Sequence, residues 1–293
     1  MESKDGIYFT VKNIFSKLGL NKVVPMSWKI YIKQQMMEWR IRKFVNDGKI
    51  PYKKGEYKEG INLIGAIKAE MGLGQSCRLI ANMIKETHYG FSVYNYDFAG
   101  QVKEDDSSFD EYISEELPYE INIFHVNPCE LGNLFMGRQD LWNGKYNIAF
   151  WLWELEEFPK EWRCYCQLFD EIWTPSEFAG RAIRKVTDIP IKILPYYVPV
   201  PYNEQYGRKE FSLPEDKFLF LVMYDINSTE GRKNPQGAIK AYKEAFDVQN
   251  KDVGLVIKIN NGSESEIQKL KKQLAGYENV YYMKETIDKG CVN

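Results

Sequence analysis

The sequence has 293 residues, of which 44% are apolar and 27% charged, and its formal net charge at pH 7 is −2. A chain of this size can build one large core or two domains of ordinary size, and we expect two. It contains no apolar run approaching the roughly 18 residues of a membrane-spanning helix, and no apolar signal segment follows Met1. We therefore expect a cytoplasmic protein.

The charge is distributed unevenly along the chain. Residues 1–58 hold 13 Lys and Arg against 5 Asp and Glu, a net of +8, so the remaining residues carry −10. Within this basic arm, apolar residues recur at helical spacing among basic ones. The apolar residues are Trp28, Ile32, Met36 and Trp39, and the basic ones are Lys29, Lys33, Arg40, Arg42 and Lys43.

A basic amphipathic helix over 27–45 has two interpretations. It fits peripheral contact with an anionic membrane face, and it also fits packing on the following domain with a solvated basic face. Nucleic acid is not an expected partner, because the basic residues belong to one segment and no reading motif accompanies them.

The cysteines predict neither a disulfide framework nor a metal site. They are odd in number and scattered, at Cys77, Cys129, Cys164, Cys166 and Cys291. Cys164-Tyr-Cys166 is spaced like a pair of metal ligands, but no second Cys or His pair accompanies it. Ordinary packing inside a helical segment is the expected role, and no metal is predicted.

Short apolar runs alternate with helical patterns over residues 59–200. The predicted strands are 61–67, 91–98, 121–126, 146–153, 171–175 and 191–194, and the predicted helices are 75–87, 131–142, 159–169 and 176–186. Strands separated by helices of about three turns are typical of βαβ crossovers and a parallel sheet. The fold class is therefore α/β, with residues 59–200 as a first Rossmann-like, doubly wound domain behind the helical basic arm.

Four prolines between Pro195 and Pro214 interrupt this alternation, and we predict an interdomain linker over 201–216. A second Rossmann-like domain follows over 217–293, with strands 218–224, 253–259 and 280–283 and helices 234–248 and 264–275. A parallel sheet of so few strands would be poorly buried, so this domain is expected to be incomplete. We expect the two domains to face a cleft lined by the carboxyl ends of their strands.

Loops that follow predicted strands supply the candidate site residues. In the first domain they contain Gly72 and Gly74, His125 and Asn127, Trp153 and Glu154, and Ser176. We predict Gly72-Leu-Gly74 to be a tight strand-to-helix turn whose backbone approaches a ligand. The same pair would open a dinucleotide fingerprint, but Cys77 stands where a third glycine is needed, and Asp97 only partly supplies the expected acid. A nicotinamide-dependent oxidoreductase is therefore a weak third hypothesis.

The loop over 225–234 has the chemistry of an anion site. A helix is predicted to begin there with Asn234 as N-cap and Pro235 in its first position. Arg232 and Lys233 stand directly before this helix start, whose free N–H groups favour an anion. A diphosphate clamp and a solvated loop with two basic residues are both compatible with this pattern.

Several blocks in order resemble the group 1 (family 4) glycosyltransferases of bacterial polysaccharide synthesis. The blocks are GINLIGAIKAEMGLGQSCRLIA, NIFHVNP, YNIAFWLWELEEFPKEW, FDEIWTPSEFAGRAI with YYVPVP, and FLFLVMYDINSTEGRKNP, within residues 60–285. The resemblance implies a two-Rossmann fold with a nucleotide-sugar donor in the C-terminal domain and an acceptor in the N-terminal domain. It also implies retention of anomeric configuration, with no bound metal or other cofactor.

The resemblance carries over to particular positions. Lys233 matches the family lysine that contacts the donor diphosphate, with Asn234 beside it. Asn227 and Ser228 occupy the slot of an arginine found in many members, so Arg232 or Lys258 would supply the second charge. His125 lies where members place a polar group near the reacting sugar, and a structural histidine at a strand end is the alternative. Acceptor contacts would come from the loops of Asn127, Trp153, Glu154 and Ser176, although Glu154 equally suits a helix cap.

One family motif is missing from the chain. Members carry two glutamates separated by seven residues further along the C-terminal domain, and Glu278 and Glu285 do not match that spacing or position. The leading hypothesis is a glycosyltransferase, or its N-terminal portion, acting on a saccharide or lipid-linked saccharide. The alternative is a truncated, non-catalytic relative that binds saccharide or a partner. A second polypeptide that completes the C-terminal domain is a further expected partner.

Overall fold

The computed structural model describes residues 25–97, 102–199, 205–226, 233–284 and 287. The chain forms two compact units that divide between Val198 and Pro199. We call them unit 1 and unit 2. The basic arm belongs to unit 1.

Unit 1 contains most of the secondary structure. Its helices and strands are α1 (Met26–Lys43), β1 (Lys58–Gly65), α2 (Gly72–Lys85), β2 (Phe91–Asn95), β3 (Tyr119–His125), α3 (Pro128–Gly137), β4 (Tyr146–Phe150), α4 (Arg163–Cys166), β5 (Glu171–Thr174), α5 (Glu177–Arg184) and β6 (Ile191–Ile193). A π-helical turn at Phe44–Gly48 extends α1, and single 3-10 turns lie at Asp110–Tyr112, Gln139–Trp142 and Lys160–Trp162.

The sheet of unit 1 is parallel and doubly wound. Its described strands are ordered β2-β1-β3-β4-β5-β6, and every neighbouring pair is parallel. The chain therefore leaves β1 toward one edge to make β2, and β3 lies on the other side of β1. The strand order reverses at this point, which is where doubly wound sheets open a crevice for ligands. The predicted α/β, Rossmann-like class is confirmed.

Both faces of this sheet are covered, as a parallel sheet requires. Leu63, Ile123 and Ile148 pack with Ile80 and Ile84 of α2 on one face. The next residue of each strand packs on the other face, which places Ile64, Phe124 and Ala149 against Ile41, Phe135, Trp142 and Ile183. The alternation explains why the strands read as continuous apolar runs.

Unit 2 contains β7 (Phe218–Asp225), α6 (Pro235–Ala245), β8 (Val253–Asn260), α7 (Glu264–Gln273) and β9 (Val280–Met283). Its described strands form a parallel sheet in the order β7-β8-β9. Leu255, Ile257 and Ile259 of β8 pack against Ile239 of α6 and Leu270 of α7. Both helices therefore cover the same face of the sheet.

Several predicted boundaries are wrong. Helix α2 begins at Gly72 rather than at residue 75. Strand β4 ends at Phe150, so Trp153 and Glu154 lie in the loop beyond it. The helix predicted over 159–169 is a 3-10 turn and a four-residue α-helix. After α4 the chain continues to Phe169 in tighter turns. There each backbone N–H donates to the carbonyl three residues earlier, as Phe169 N does to Cys166 O, which is the hydrogen-bond pattern of a 3-10 helix.

Helix α1 of the basic arm packs on the rest of unit 1 through a face that the sequence pattern did not indicate. Ile41 and Phe44 are buried and Met37 is partly buried, and the Phe44 ring meets Phe135 edge-on with 5.4 Å between centroids. Trp28 and Trp39 of the predicted stripe are 64% and 53% exposed. Residues 28 and 39 share a side of the helix roughly opposite residues 37, 41 and 44, at about 100° per residue. The helix therefore has two apolar faces, of which one packs on unit 1.

None of the helices in the part of the chain that the structure describes is both long and apolar enough to cross a membrane. Cys77, Cys164 and Cys166 are buried thiols without a disulfide, which is consistent with the expected packing role. Cys129 is exposed, and Cys291 lies outside the described residues.

A ladder of buried asparagines crosses the first sheet. The Asn62 side chain donates to Asn122 Oδ1 at 2.8 Å, and Asn122 donates to Asn147 Oδ1 at 2.9 Å. Asn62 also accepts from Ser92 Oγ at 3.0 Å, so the ladder links four neighbouring strands. All three asparagines are fully buried. The remaining amide protons bond to the carbonyls of Tyr119, Leu141, Trp142 and Lys145.

We expect Asn122→Leu to destabilise unit 1 by at least about 3 kcal/mol, because it removes three hydrogen bonds and leaves buried amide and carbonyl groups unpaired. All 7 tryptophans lie in unit 1, so their fluorescence during urea unfolding reports on this unit. Asn133→Ala, at an exposed position on α3, is the matched control. Equal free energies of unfolding for the two variants would contradict the prediction that the ladder stabilises unit 1.

Candidate functional site

The switch point of the first sheet brings His125 to the end of β1. His125 is the last residue of β3 and is paired in register with Gly65, the last residue of β1. A side chain at Gly65 would approach Cys77 Sγ to 2.7 Å and His125 Cβ to 3.2 Å. Glycine therefore allows α2 and the histidine to meet closely at this edge of the sheet.

His125 forms a cluster with two hydroxyl groups. Its Nε2 lies 2.5 Å from Ser76 Oγ and 3.4 Å from Tyr196 Oη, and the two hydroxyls also share a short hydrogen bond. The Phe150 ring stacks on the imidazole, with 5.5 Å between centroids. Nδ1 of His125 is buried and has no hydrogen-bond partner in the described ranges.

The electrostatics of this cluster favour a neutral histidine. Burial lowers the pKa of His125 to about 4, and burial raises the pKa of Tyr196 to about 12. At neutral pH the cluster is therefore an uncharged chain of hydrogen bonds. Sequence reasoning found His125 but missed Ser76 and Tyr196, which have no motif spacing to the histidine and lie 49 and 71 residues away from it.

Gly72 and Gly74 lie in the first turn of α2, after Met71 as N-cap. The predicted tight turn is instead the preceding loop over 66–71. A side chain at Gly74 would come within 1.9 Å of Ala69 O, whereas one at Gly72 would meet nothing within 4 Å. Gly74 is therefore required for the loop to fold over the start of the helix. The predicted approach of this backbone to a ligand stays a prediction.

The buried Arg78 holds that loop in place. Its guanidinium donates to Ile67 O at 2.7 Å and to Ala69 O at 3.1 Å. It also pairs with Asp106 at 3.2 Å. This arrangement fixes the loop between β1 and α2 beside the His125 cluster.

Three of the predicted substrate-binding residues have structural contacts. Asn127 is the N-cap of α3, and its side chain accepts from Leu152 N at 3.2 Å. Trp153 donates its indole N–H to Glu157 O at 3.0 Å and meets Trp162 edge-on. Ser176 caps α5 by accepting from Ala179 N at 3.3 Å. Glu154 is exposed. Their roles toward an acceptor stay predictions.

Unit 2 contains a cavity of about 330 Å³ where β7 ends and α6 begins. Its lining comes from three elements and is Tyr224, Asp225, Ile226, Lys233, Pro235, Gln236, Glu266, Lys269, Leu270 and Gln273. Lys233 therefore lies beside the helix start, as the sequence predicts. Lys269 was missed, because the adjacency of α6 and α7 is not visible in the sequence.

The start of α6 is built as the sequence indicates. Asn234 is the N-cap and Pro235 occupies the first turn. Asn234 has a positive φ of 46° and accepts from Gly237 N at 3.1 Å. A side chain at position 237 would come within 2.4 Å of the Asn234 amide. Gly237 therefore permits the cap.

The structure describes only one of the two residues predicted to supply the second positive charge. Arg232 lies outside the described residues. Lys258 is buried on the sheet face opposite α6 and α7, because Ile257 and Ile259 on either side of it point toward those helices. Its ammonium bonds to Asn260 Oδ1. Lys258 is not among the residues that line the cavity.

No group of three or more His, Cys, Asp or Glu side chains suited to holding a metal ion occurs within residues 25–97, 102–199, 205–226 and 233–284.

No protein-family model matches the sequence, and no curated protein matches it. Solved structures resemble it in fold. The apo form of the lipopolysaccharide outer core galactosyltransferase WaaB has a TM-score of 0.51 at 13% identity, and the match covers 78% of this chain and 68% of that one.

Two further structures resemble the chain more weakly. The E. coli trehalose-6-phosphate structure with bound UDP-2-fluoro glucose has a TM-score of 0.47 at 10% identity, covering 80% of this chain and 75% of that one. S. aureus MnaA with UDP has a TM-score of 0.40 at 10% identity, covering 78% and 69%. The fold assignment depends on the WaaB match: the chain has the two-Rossmann fold known as GT-B.

We expect the His125 ring to stay neutral until the pH falls toward about 4. The chain has 2 histidines, so in His88→Gln without a histidine tag the imidazole nitrogen signals in ¹⁵N NMR belong to His125 alone. Adding Ser76→Ala removes the nearer hydroxyl and is expected to change the tautomer populations. Ser107→Ala, at an exposed serine, serves as the control.

The same shift gives unit 1 a pH dependence. Unfolded histidine has a pKa of about 6.5, so the unfolded chain takes up the proton first as the pH falls. Stability from the neutral ring is therefore full above pH 6.5 and is lost toward pH 4. A ring that protonates near its unfolded pKa would contradict the burial on which this expectation depends.

Proposed function

We propose that the protein is a retaining glycosyltransferase that transfers a sugar from a nucleotide-sugar donor to a saccharide or lipid-linked saccharide in polysaccharide biosynthesis. Unit 2 binds the donor and unit 1 binds the acceptor. The observation that carries the proposal is Lys233 in a cavity at the start of α6, in a chain with the same fold as a galactosyltransferase. The nucleotide sugar is a co-substrate, and no metal is invoked.

In this mechanism the diphosphate leaves with developing negative charge. Lys233 and the amino-terminal dipole of α6 stabilise that charge in the transition state. Asn234 shapes the helix start through its cap to Gly237. Lys258 faces the other side of the sheet and does not line this cavity, so no contact with the diphosphate is assigned to it.

Unit 1 supplies uncharged hydrogen-bonding groups at its switch point. His125, held neutral by burial, is the polar group near the reacting sugar. The loops after three neighbouring strands orient the acceptor hydroxyl at the same edge of the sheet. Asn127 follows β3, Trp153 and Glu154 follow β4, and Ser176 follows β5.

We expect Lys233→Ala to weaken the binding of a nucleoside diphosphate about tenfold or more, because a charge-assisted hydrogen bond contributes about 1.5–3 kcal/mol. Isothermal titration with UDP, GDP and ADP measures the effect. Lys240→Ala is the matched control, since Lys240 is an exposed lysine within α6, the helix that Lys233 precedes. If Lys233→Ala binds these nucleoside diphosphates with unchanged affinity, the assignment of the donor site is wrong.

A non-catalytic saccharide- or partner-binding module is the second candidate. The edge of β7 that pairs with no described strand supports it, because the apolar side chains of Phe218 and Leu221 on β7 are 63% and 60% exposed and parallel sheets are normally covered. A further strand, in cis or from a second polypeptide, would complete this sheet. Transfer from a panel of nucleotide sugars supports the enzyme, whereas binding without transfer or hydrolysis supports the module.

We also propose that the exposed face of α1 contacts an anionic membrane surface at the cytoplasmic side. Trp28, Tyr31 and Trp39 are exposed on the side of the helix away from its packed face. Lysines and arginines flank them, and such a surface suits the interface of an anionic bilayer.

Co-sedimentation with vesicles checks this membrane contact. We expect the full chain to bind phosphatidylglycerol vesicles and not phosphatidylcholine vesicles, and Trp28→Ala with Trp39→Ala to lose most of the binding. The control is Tyr206→Ala, an exposed aromatic residue of unit 2. Equal binding to both lipids, or by both variants, counts against the proposal.

A further inference from the structure

The cavity of unit 2 contains a second cation that no motif indicated. We propose that Lys233 and Lys269 together bind a pyrophosphate group, with one lysine directed to each phosphate. Under the proposed function, on which this assignment of the ligand's origin rests, the pyrophosphate belongs to the nucleotide-sugar donor.

The two lysines reach the cavity from different segments, one before α6 and one within α7. Lys233 directly precedes the N-cap of α6. Lys269 lies on α7, on the same helix face as Glu266 and Gln273, which also line the cavity. A volume of about 330 Å³ leaves space for an anion larger than a single phosphate.

The carboxylates and the lysines that line the cavity differ in their hydrogen bonding. Glu266 accepts from Ser263 N and Ser263 Oγ, both at 3.1 Å, in the capping box of α7. Asp225 accepts from Asn261 Nδ2 at 2.8 Å. Neither Lys233 nor Lys269 has a hydrogen-bond or ion-pair partner within the described residues. The two carboxylates are thus held by hydrogen bonds from neutral groups, and the two lysine ammonium groups remain to donate to an anion.

The two helices are held together beside the cavity. Gln273 Nε2 donates to Gln236 Oε1 at 2.6 Å, joining α7 to the first turn of α6. Lys243 of α6 donates to Gln273 O at 3.1 Å. The separation between the helices is thus fixed before a ligand arrives, so binding does not have to bring them together.

Two cations in one cavity distinguish ligands by their number of phosphates. Under this proposal a pyrophosphate bridges both lysines, whereas a monophosphate meets one of them. The cavity is therefore expected to prefer inorganic pyrophosphate and nucleoside diphosphates over inorganic phosphate and nucleoside monophosphates. Both lysines are exposed, so their substitution is not expected to disturb the core of unit 2.

The test uses the full chain and titrates inorganic pyrophosphate, inorganic phosphate, UDP and UMP into each variant. The variants are Lys233→Met, Lys269→Met, the double substitution, and Lys272→Met as an exposed control on α7. Each single change is expected to weaken pyrophosphate binding about tenfold. The double change should abolish the preference for two phosphates, and the control should change nothing.

The outcomes separate this inference from the proposed function. Lys269→Met binding pyrophosphate as tightly as the native chain overturns the two-lysine site, and so does a native chain that binds no pyrophosphate. If Lys233→Met still weakens UDP binding in those cases, the donor-site assignment stands. Pyrophosphate binding that depends on both lysines supports the inference even when no nucleotide sugar is turned over.

Discussion

The asparagine ladder determines where the carboxyl ends of the strands in unit 1 lie relative to one another. Asn62 is opposite Ser92 and Asn122, and Asn122 is opposite Asn147, in the observed registers of the sheet. A one-residue slip in any of these pairs would leave a buried amide without partners. Apolar runs alone tolerate such slips, so the polar ladder supplies the register that hydrophobic burial does not.

The His125 cluster depends on this register. His125 follows Asn122 by three residues along β3, and Gly65 follows Asn62 by three along β1, so the pairing of the asparagines also pairs His125 with Gly65. Glycine at that position then leaves room for Cys77 and the first turns of α2. Ser76 reaches the imidazole as a consequence. The geometry at the switch point is therefore set by side chains three residues, or about 10 Å, away along the strands in the middle of the sheet.

The sequence predicts the parts of the fold that depend on local pattern. Every strand from β1 to β9 overlaps an apolar run, and the cap at Asn234 and Pro235 follows from the residue types alone. The arm is different, because α1 is apolar on two sides and its pattern does not say which side packs. The 159–169 segment also misleads, since helical spacing does not distinguish an α-helix from consecutive tighter turns.

The residues of the candidate sites also divide into those that local sequence pattern predicts and those that only tertiary packing brings together. Lys233 and His125 can be found from a motif and a strand end, whereas Ser76, Tyr196 and Lys269 are placed only by tertiary contacts. A resemblance to a family transfers residues that occupy its motifs, and it cannot transfer a lysine such as Lys269 that lies in no motif.

The two candidate sites differ in charge in a way that suits the two halves of a sugar transfer. Under the proposed function, charge develops on the leaving diphosphate, and exposed lysines at a helix start can stabilise it without the cost of burying an unpaired cation. A sugar hydroxyl near the reacting carbon needs an uncharged hydrogen-bonding partner, since a buried imidazolium there would repel a carbon that becomes positive. Burial keeps His125 neutral, as that role under the proposed function would require. Exchanging the two environments would leave each group in the wrong protonation state for its task.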